Sequence, residues 1–212
     1  LELELGPDLG SALNEWPVTH TVKVRVLYRL DDSEDIRNLH DRLMVRLADA
    51  CRRTRHELLV EIISSRPDNS ADPDMVPGIL HHVYDLGVFP DWWTLEPITD
   101  SEYWQRVNKT VAQHDPHLQG IIVGGREMSQ QKLRAVFEVA APQPLVRGFA
   151  VGRSIFEKPA ERWFAEKWND DDTVMAMASA YRSLIDAWGA ACSKLDAWWV
   201  EARNAPMSAP IP

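Results

Sequence analysis

Gly148-Phe149-Ala150-Val151-Gly152-Arg153-Ser154-Ile155-Phe156 is the stretch on which the fold of this chain turns. With Val146 and Arg147 leading in, its first half is a short apolar run suited to a buried strand. Gly152, Arg153 and Ser154 follow where that strand would end. Such a junction suits an anion. Gly152 lets the backbone come close to a ligand, Arg153 offers a planar fork of donors, and Ser154 is expected to cap the turn into a helix from Glu157 to Glu166. Together they describe a phosphate site at the carboxyl end of a parallel strand; the plain alternative is a strand-to-helix turn with a surface arginine.

Working outward, four earlier strands each precede a helix. Thr21 to Leu30 is β-branched and aromatic, with Lys23 and Arg25 on one face. Ser33 then caps a helix whose stripe is Ile36, Leu39, Leu43, Leu47 and Ala50, ending near Arg55. Leu58 to Ile63 is a buried-type strand with a single charge, Glu61. A loop rich in Pro, Asp and Ser leads to a helix from about Asp74 that stops at Gly87. Trp92 to Leu95 is a third strand, ended by Glu96 and Pro97, and Thr99 with Glu102 has capping-box spacing for a helix to about His114. Gly120 to Val123 is the fourth, closed by Gly124 and Gly125, and Ser129 caps a helix containing Leu133, Val136, Phe137 and Ala140. Beyond the fifth strand, Val174 to Ala202 is a long amphipathic helix with Trp188, Trp198 and Trp199, and 205–212 is a frayed tail.

Strict strand-helix alternation predicts an α/β fold with a parallel sheet. Two architectures fit it: an open doubly wound sheet, or a (β/α)8 TIM-type barrel of which this chain is the larger part. No GxGxxG opens the first helix, which disfavours a dinucleotide fold. Either architecture places ligands at the strand carboxyl ends, where Tyr28, Asp31, Ser64, Glu96, Gly124, Gly125, Gly152 and Arg153 lie. The N-terminal Leu1 to Leu5, with Gly6, Pro7 and Gly10 after it, looks like a strand end and a loop, as if the chain begins partway through a domain.

The 212 residues suffice for one domain over 1–204, and 45% hydrophobic with 26% charged residues is a globular composition. No apolar run approaches the roughly 20 residues a membrane helix needs. A net charge of -9 disfavours nucleic acid and anionic membrane as partners, so any phosphate site must be local. Cys51 and Cys192 have no metal or redox spacing, as expected of a reduced, cytoplasmic protein. The histidines predict no metal site: His81 and His82 are adjacent on a helix and diverge, while His114 and His117 flank a proline turn. Neither a nucleophile elbow nor a Walker loop is present, and no cofactor is expected.

Lys23 in Val-Lys-Val-Arg-Val-Leu-Tyr, Glu61 in Leu-Leu-Val-Glu-Ile-Ile, the segment Pro90 to Pro97, the Gly124-Gly125 strand end and the opening stretch together resemble a known family. It is the aldolase-like domain fused to 5-dehydro-2-deoxygluconokinases of bacterial myo-inositol catabolism; more distantly the chain is similar to class I tagatose-bisphosphate aldolases. The resemblance runs from about Gly6 to Arg203 and is most specific at Asp91-Trp92-Trp93 with Leu95-Glu96-Pro97. It implies a (β/α)8 barrel represented by strands four to eight, a sugar-phosphate ligand, aldol cleavage through a lysine Schiff base, and a carbohydrate kinase as fused partner. The missing strands would be supplied by an N-terminal half or their absence covered by a second copy, so an oligomer is expected.

One position departs from that family. Its pattern has lysine between the paired tryptophans and Leu-Glu-Pro, where this chain has Thr94, and only a primary amine condenses with a ketone to give the electron sink of a class I aldolase. Lys23 is the remaining strand-borne lysine; if buried, it would serve as amine or phosphate anchor, and otherwise it snorkels from a strand end. Glu61, alone in an apolar strand, is costly unless it pairs with Lys23 across the sheet or acts as an acid or base. Glu96 is a further acid/base candidate or a strand-ending carboxylate. Trp92 and Trp93 face opposite sides and are read as packing. Gly124 and Gly125 are expected to form a phosphate cradle with Gly152 and Arg153, the usual barrel position after strands seven and eight.

Overall fold

The structure, a computed structural model, describes residues 8–65, 72, 74–125 and 128–204, with side chains to residue 193. The expectations for Leu1 to Leu5, for most of the loop after Glu61's strand, for Trp198 and Trp199 and for 205–212 lie outside the described residues or side chains.

Twelve elements follow in order: α1 (Leu9–Asn14), β1 (Val22–Leu27), α2 (Glu34–Thr54), β2 (Leu58–Ile63), α3 (Met75–Asp85), β3 (Trp92–Leu95), α4 (Ser101–His114), β4 (Gly120–Gly124), α5 (Gln130–Ala140), β5 (Val146–Ala150), α6 (Arg153–Phe164) and α7 (Asp170–Asn204). The five strands are all parallel and lie in the sheet in chain order, β1 to β5. A doubly wound sheet reverses its strand order at a switch point, whereas a barrel winds one way only, so the singly wound order decides between the two expected architectures.

Register sorts the side chains into two faces, because in-register partners of a parallel sheet point the same way. Val24, Val60, Trp93, Ile121 and Val146 lie in one row, and Arg25, Glu61, Thr94, Ile122 and Gly148 in the next. The first row enters a single core cluster with Met44 and Leu47 of α2, Ile79 and Val83 of α3, Trp104 and Val107 of α4, and Val136 of α5. No residue of the second row belongs to it. The helices α2 to α5 therefore cover one face, as around a barrel, and the other is the inner face. β1 shows the division most clearly: Val22, Val24 and Val26 are buried, and Lys23, Arg25 and Leu27 are exposed.

Three carboxylates tie the strands at opposite ends. At the amino ends Glu57 accepts from Thr21 Oγ1 (3.2 Å), Trp92 Nε1 (3.2 Å) and Gln119 Nε2 (2.8 Å), while Asp91 Oδ2 accepts the Leu58 amide at 2.8 Å. At the carboxyl ends Glu96 does the same work with Ser64 and Ser65. Arg147 is the extra residue of a β4–β5 bulge beside Ile121 and Ile122, and its side chain lies over Gly120, where a Cβ would come within 2.2 Å of it.

Several local expectations need correcting. Residues 8–14 are a capped helix rather than a loop, with Asp8 Oδ1 accepting the Ser11 amide at 3.1 Å. The buried residues of α2 are His40, Met44, Leu47, Ala48, Ala50 and Cys51, so Leu47 and Ala50 of the expected stripe are buried, while Ile36 and Leu39 are exposed. α4 is capped by Asp100, whose Oδ1 accepts the Glu102 amide at 2.8 Å, and not by Thr99. α6 begins at Arg153, so Ser154 lies inside its first turn and Gly152 is the N-cap. Ser33, Ser129 and Gly87, with φ of 78°, end or begin helices as expected.

Candidate active site

The inner face carries a charged cluster that an all-apolar sheet would not need. Lys23 Nζ lies 2.9 Å and Arg25 Nε 3.0 Å from the same oxygen, Glu61 Oε2. β1 supplies both cations on one face because they are two residues apart, and the β1–β2 register sets Arg25 directly beside Glu61. The cross-strand pair expected from the cost of a lone carboxylate therefore forms. Burial pushes the Glu61 carboxyl up, but the hydrogen bonds and charges of Lys23 and Arg25 outweigh it and hold it below its ordinary value. Among the described residues Oε1 accepts no hydrogen bond. Glu61 itself is buried, whereas the side chains of Lys23 and Arg25 are 49% and 59% exposed. Lys23 is thus an ion-paired, half-exposed lysine and not the buried one considered from sequence.

Thr94 stands in register beside Glu61 on β3, buried at 3% exposure. Its Cγ2 would be 3.2 Å from a Cβ on Gly124, so glycine at the end of β4 keeps the space beside Thr94 open. A side chain at position 94 therefore faces the Glu61 carboxylate across one strand spacing.

At the carboxyl ends, sequence reasoning found Glu96 but not what holds it. Oε2 accepts from the Ser64 amide (2.8 Å), Ser64 Oγ (3.0 Å) and the Ser65 amide (2.9 Å), and Oε1 accepts from Ser65 Oγ. Burial raises this carboxyl, and the hydrogen bonds of Ser65 and Ser64 overcome that and leave it lowered. A general acid needs the opposite shift, so the geometry gives Glu96 the task of clamping β2 to β3. Arg29, which sequence reasoning passed over, reaches the Ser64 carbonyl and pairs with Asp31 at 2.8 Å, extending this polar rim across β1. Its signal was only an arginine just past a strand end.

The expected phosphate cradle is partly rearranged. The Gly125 amide donates to the Ala150 carbonyl at 2.7 Å, so it belongs to the sheet ladder, and a Cβ on Gly125 would strike Val151 at 2.4 Å. Gly125 is glycine for packing and leaves the cradle. Gly152 and Arg153 do stand at the start of α6, next to the end of β5. Ser154 Oγ is buried without a hydrogen-bond partner among the described residues, an unmet need that a ligand oxygen would satisfy. The cleft nearby, about 530 Å³ between Phe149, Ile155, Val174, Met177 and Tyr181, is lined mainly by apolar side chains, two of them aromatic, and does not suit an anion.

The solved structure of fructose-bisphosphate aldolase from Plasmodium falciparum, in complex with TRAP and a small molecule inhibitor, is similar to this chain with a TM-score of 0.54 at 13% identity. The match covers 81% of this chain and 56% of that one, so the chain spans about half the aldolase's length, and at this identity the likeness is one of fold. The sheet is accordingly an α/β, TIM-barrel-like, aldolase-type fold. No curated protein sequence matches. The family described as "Uncharacterized protein conserved in bacteria (DUF2090)" matches residues 1–192, nearly the whole chain, and the protein belongs to it.

Proposed function

We propose that this chain is an aldolase-type carbon–carbon lyase domain acting on a phosphorylated keto-sugar acid, with the inner face as its site. The observation that carries this is the Lys23–Glu61 pair beside Thr94, on a sheet of aldolase-like fold. Class I chemistry needs a primary amine, and Lys23, although half exposed rather than buried, is the one lysine in the five strands and can pass its ammonium proton to Glu61. Its amine would condense with the substrate ketone, losing water. Glu61 Oε1 would take the proton of the hydroxyl on the carbon beyond the bond that breaks, and the electron pair of that bond would pass into the iminium. The enamine is then protonated and hydrolysed. Arg25 holds Glu61 ionised, and Gly152, Arg153 and Ser154 would receive the phosphate. By the resemblance at Lys23, Glu61 and 90–97, the substrate is 6-phospho-5-dehydro-2-deoxygluconate of myo-inositol catabolism, giving dihydroxyacetone phosphate and malonate semialdehyde. A coupled assay for dihydroxyacetone phosphate tests it: turnover by the native chain and loss of at least about a hundredfold in Lys23→Met is expected, and equal turnover by the variant removes Lys23 from the chemistry.

A second reading is favoured by Thr94 itself: a non-catalytic phosphosugar-binding or oligomerisation domain that has lost the amine of its relatives. Exposed Phe164, Val174, Met175, Tyr181 and Ile185 on α6 and α7 suit a second copy of the chain or the rest of a barrel. Sedimentation as a dimer or larger, together with sugar-phosphate binding but no turnover, would establish that reading.

A further inference from the structure

Away from the strand carboxyl ends, helices α3 and α4 bring together an i,i+4 pair and a side chain 33 residues further along the chain. His81 and Asp85 lie one turn apart on α3, and His114 is the last residue of α4. His81 Nδ1 is 2.8 Å from His114 Nε2, and His81 Nε2 is 3.5 Å from Asp85 Oδ2. One ligand atom from each can be chosen so that all lie within 4.8 Å of one another, close enough for small side-chain rotations to bring them onto one metal ion.

The hydrogen bonds fix which ring nitrogens carry lone pairs. His114 Nδ1 faces the Thr110 carbonyl at 2.8 Å and must donate to it, so in a neutral ring Nε2 carries a lone pair. His81 Nδ1 then donates to that lone pair, and its own Nε2 is left with a lone pair turned toward the Asp85 carboxylate. The His81 Nε2 lone pair and the Asp85 carboxylate thus face one another with His114 Nε2 beside them, a set of donors that a divalent cation could share. The Thr110 contact is also the outer hydrogen bond that orients a metal-bound imidazole. His114 is held further by stacking on Tyr84, with ring planes 5° apart, and the Tyr84 hydroxyl is tied to Trp93 Nε1 at 2.8 Å. The position is favourable as well: both helices direct their C-terminal, partially negative ends here, where Asp85 adds a charge the dipole disfavours and a cation would neutralise. His81 and Asp85 are exposed, so an ion can reach them.

We propose that His81, Asp85 and His114 form a divalent-metal site of the zinc class, with water completing the coordination, that clips the ends of α3 and α4 together. Two imidazoles and one carboxylate suit a borderline ion such as Zn²⁺, better than the hard, all-oxygen preference of Mg²⁺ or Ca²⁺. Helix C-termini lie at the amino ends of the neighbouring strands, so the site is remote from the Lys23–Glu61 pair and stands independently of the proposed lyase activity.

Calorimetric titration of the full chain with ZnCl₂, and with CoCl₂ followed by visible absorption, tests it. One equivalent should bind; His81→Ala and Asp85→Asn should each weaken binding by at least about tenfold, and His117→Ala, an exposed histidine outside the cluster, should leave it unchanged. Zn²⁺ should raise the Tm of the native chain and not that of His81→Ala. Absence of binding, or binding that survives His81→Ala, overturns the proposal.

Discussion

Trp93 and Thr94 are neighbours in the chain and opposites in the fold. Trp93 is fully buried on the helix-covered face, edge-on to Tyr84 and donating to its hydroxyl. Thr94 is also buried, on the inner face, yet its neighbour on β2 is Glu61, which holds Lys23 and Arg25 on its far side. One strand of four residues thus separates a hydrocarbon layer, whose worth is stability, from a charged layer that costs desolvation and gives the fold little in return. Charge kept where apolar packing would serve stability better is what marks the inner face as the place of function.

That contrast can be broken by mutation. The largest effect belongs to the covered face: Trp93→Ala should cost about 3–5 kcal/mol, read as a lower denaturant midpoint, from lost area and the cavity left behind. A loss below about 1 kcal/mol would mean that the two faces are not as different as drawn. Next comes the clamp. Glu96→Gln puts a donor-bearing amide against the donors of Ser64 and Ser65, and should cost about 2–3 kcal/mol while leaving the helix-covered core intact.

Acid should act through the same carboxylates. Glu61 and Glu96 have folded values below the ordinary 4.5, so the unfolded chain binds their protons first. Their stabilisation is fully present above about pH 4.5 and is lost as pH falls through the lower folded values. Urea midpoints between pH 6 and 3 should fall, and less steeply in Glu61→Gln; an unchanged slope would show that the inner-face pair is not linked to folding. Smallest of all, Lys23→Met should change stability by no more than about 1 kcal/mol, because the lysine is half exposed. A much larger loss would make Lys23 a structural residue.

How much of this was legible in the sequence follows the range of the interactions. β-branched runs and a lone carboxylate in Leu58 to Ile63 point to strands and to a Lys23–Glu61 pair, because both depend on alternation within a strand. The true stripe of α2 was obscured because one of its members, His40, is not counted as apolar by pattern, although it is buried. Ser64 and Ser65 meet Glu96 from 32 and 31 residues away, and His81 meets His114 across 33, separations at which no spacing rule operates. Ser154 misled for a local reason: Gly152 can cap α6 with its backbone, so the helix starts earlier than the polar side chain suggests.

The central claim, that the inner face is an aldolase-type site, is tested most directly by borohydride trapping with dihydroxyacetone phosphate, read by intact and peptide mass on the native chain, Lys23→Met and Thr94→Lys. The account predicts a covalent adduct at Lys23 of the native chain, lost in Lys23→Met, and an adduct at position 94 of Thr94→Lys, where the new amine would face Glu61. An adduct in Thr94→Lys alone would transfer the claim to a binding domain that has lost its amine. No adduct on any of the three proteins would contradict it.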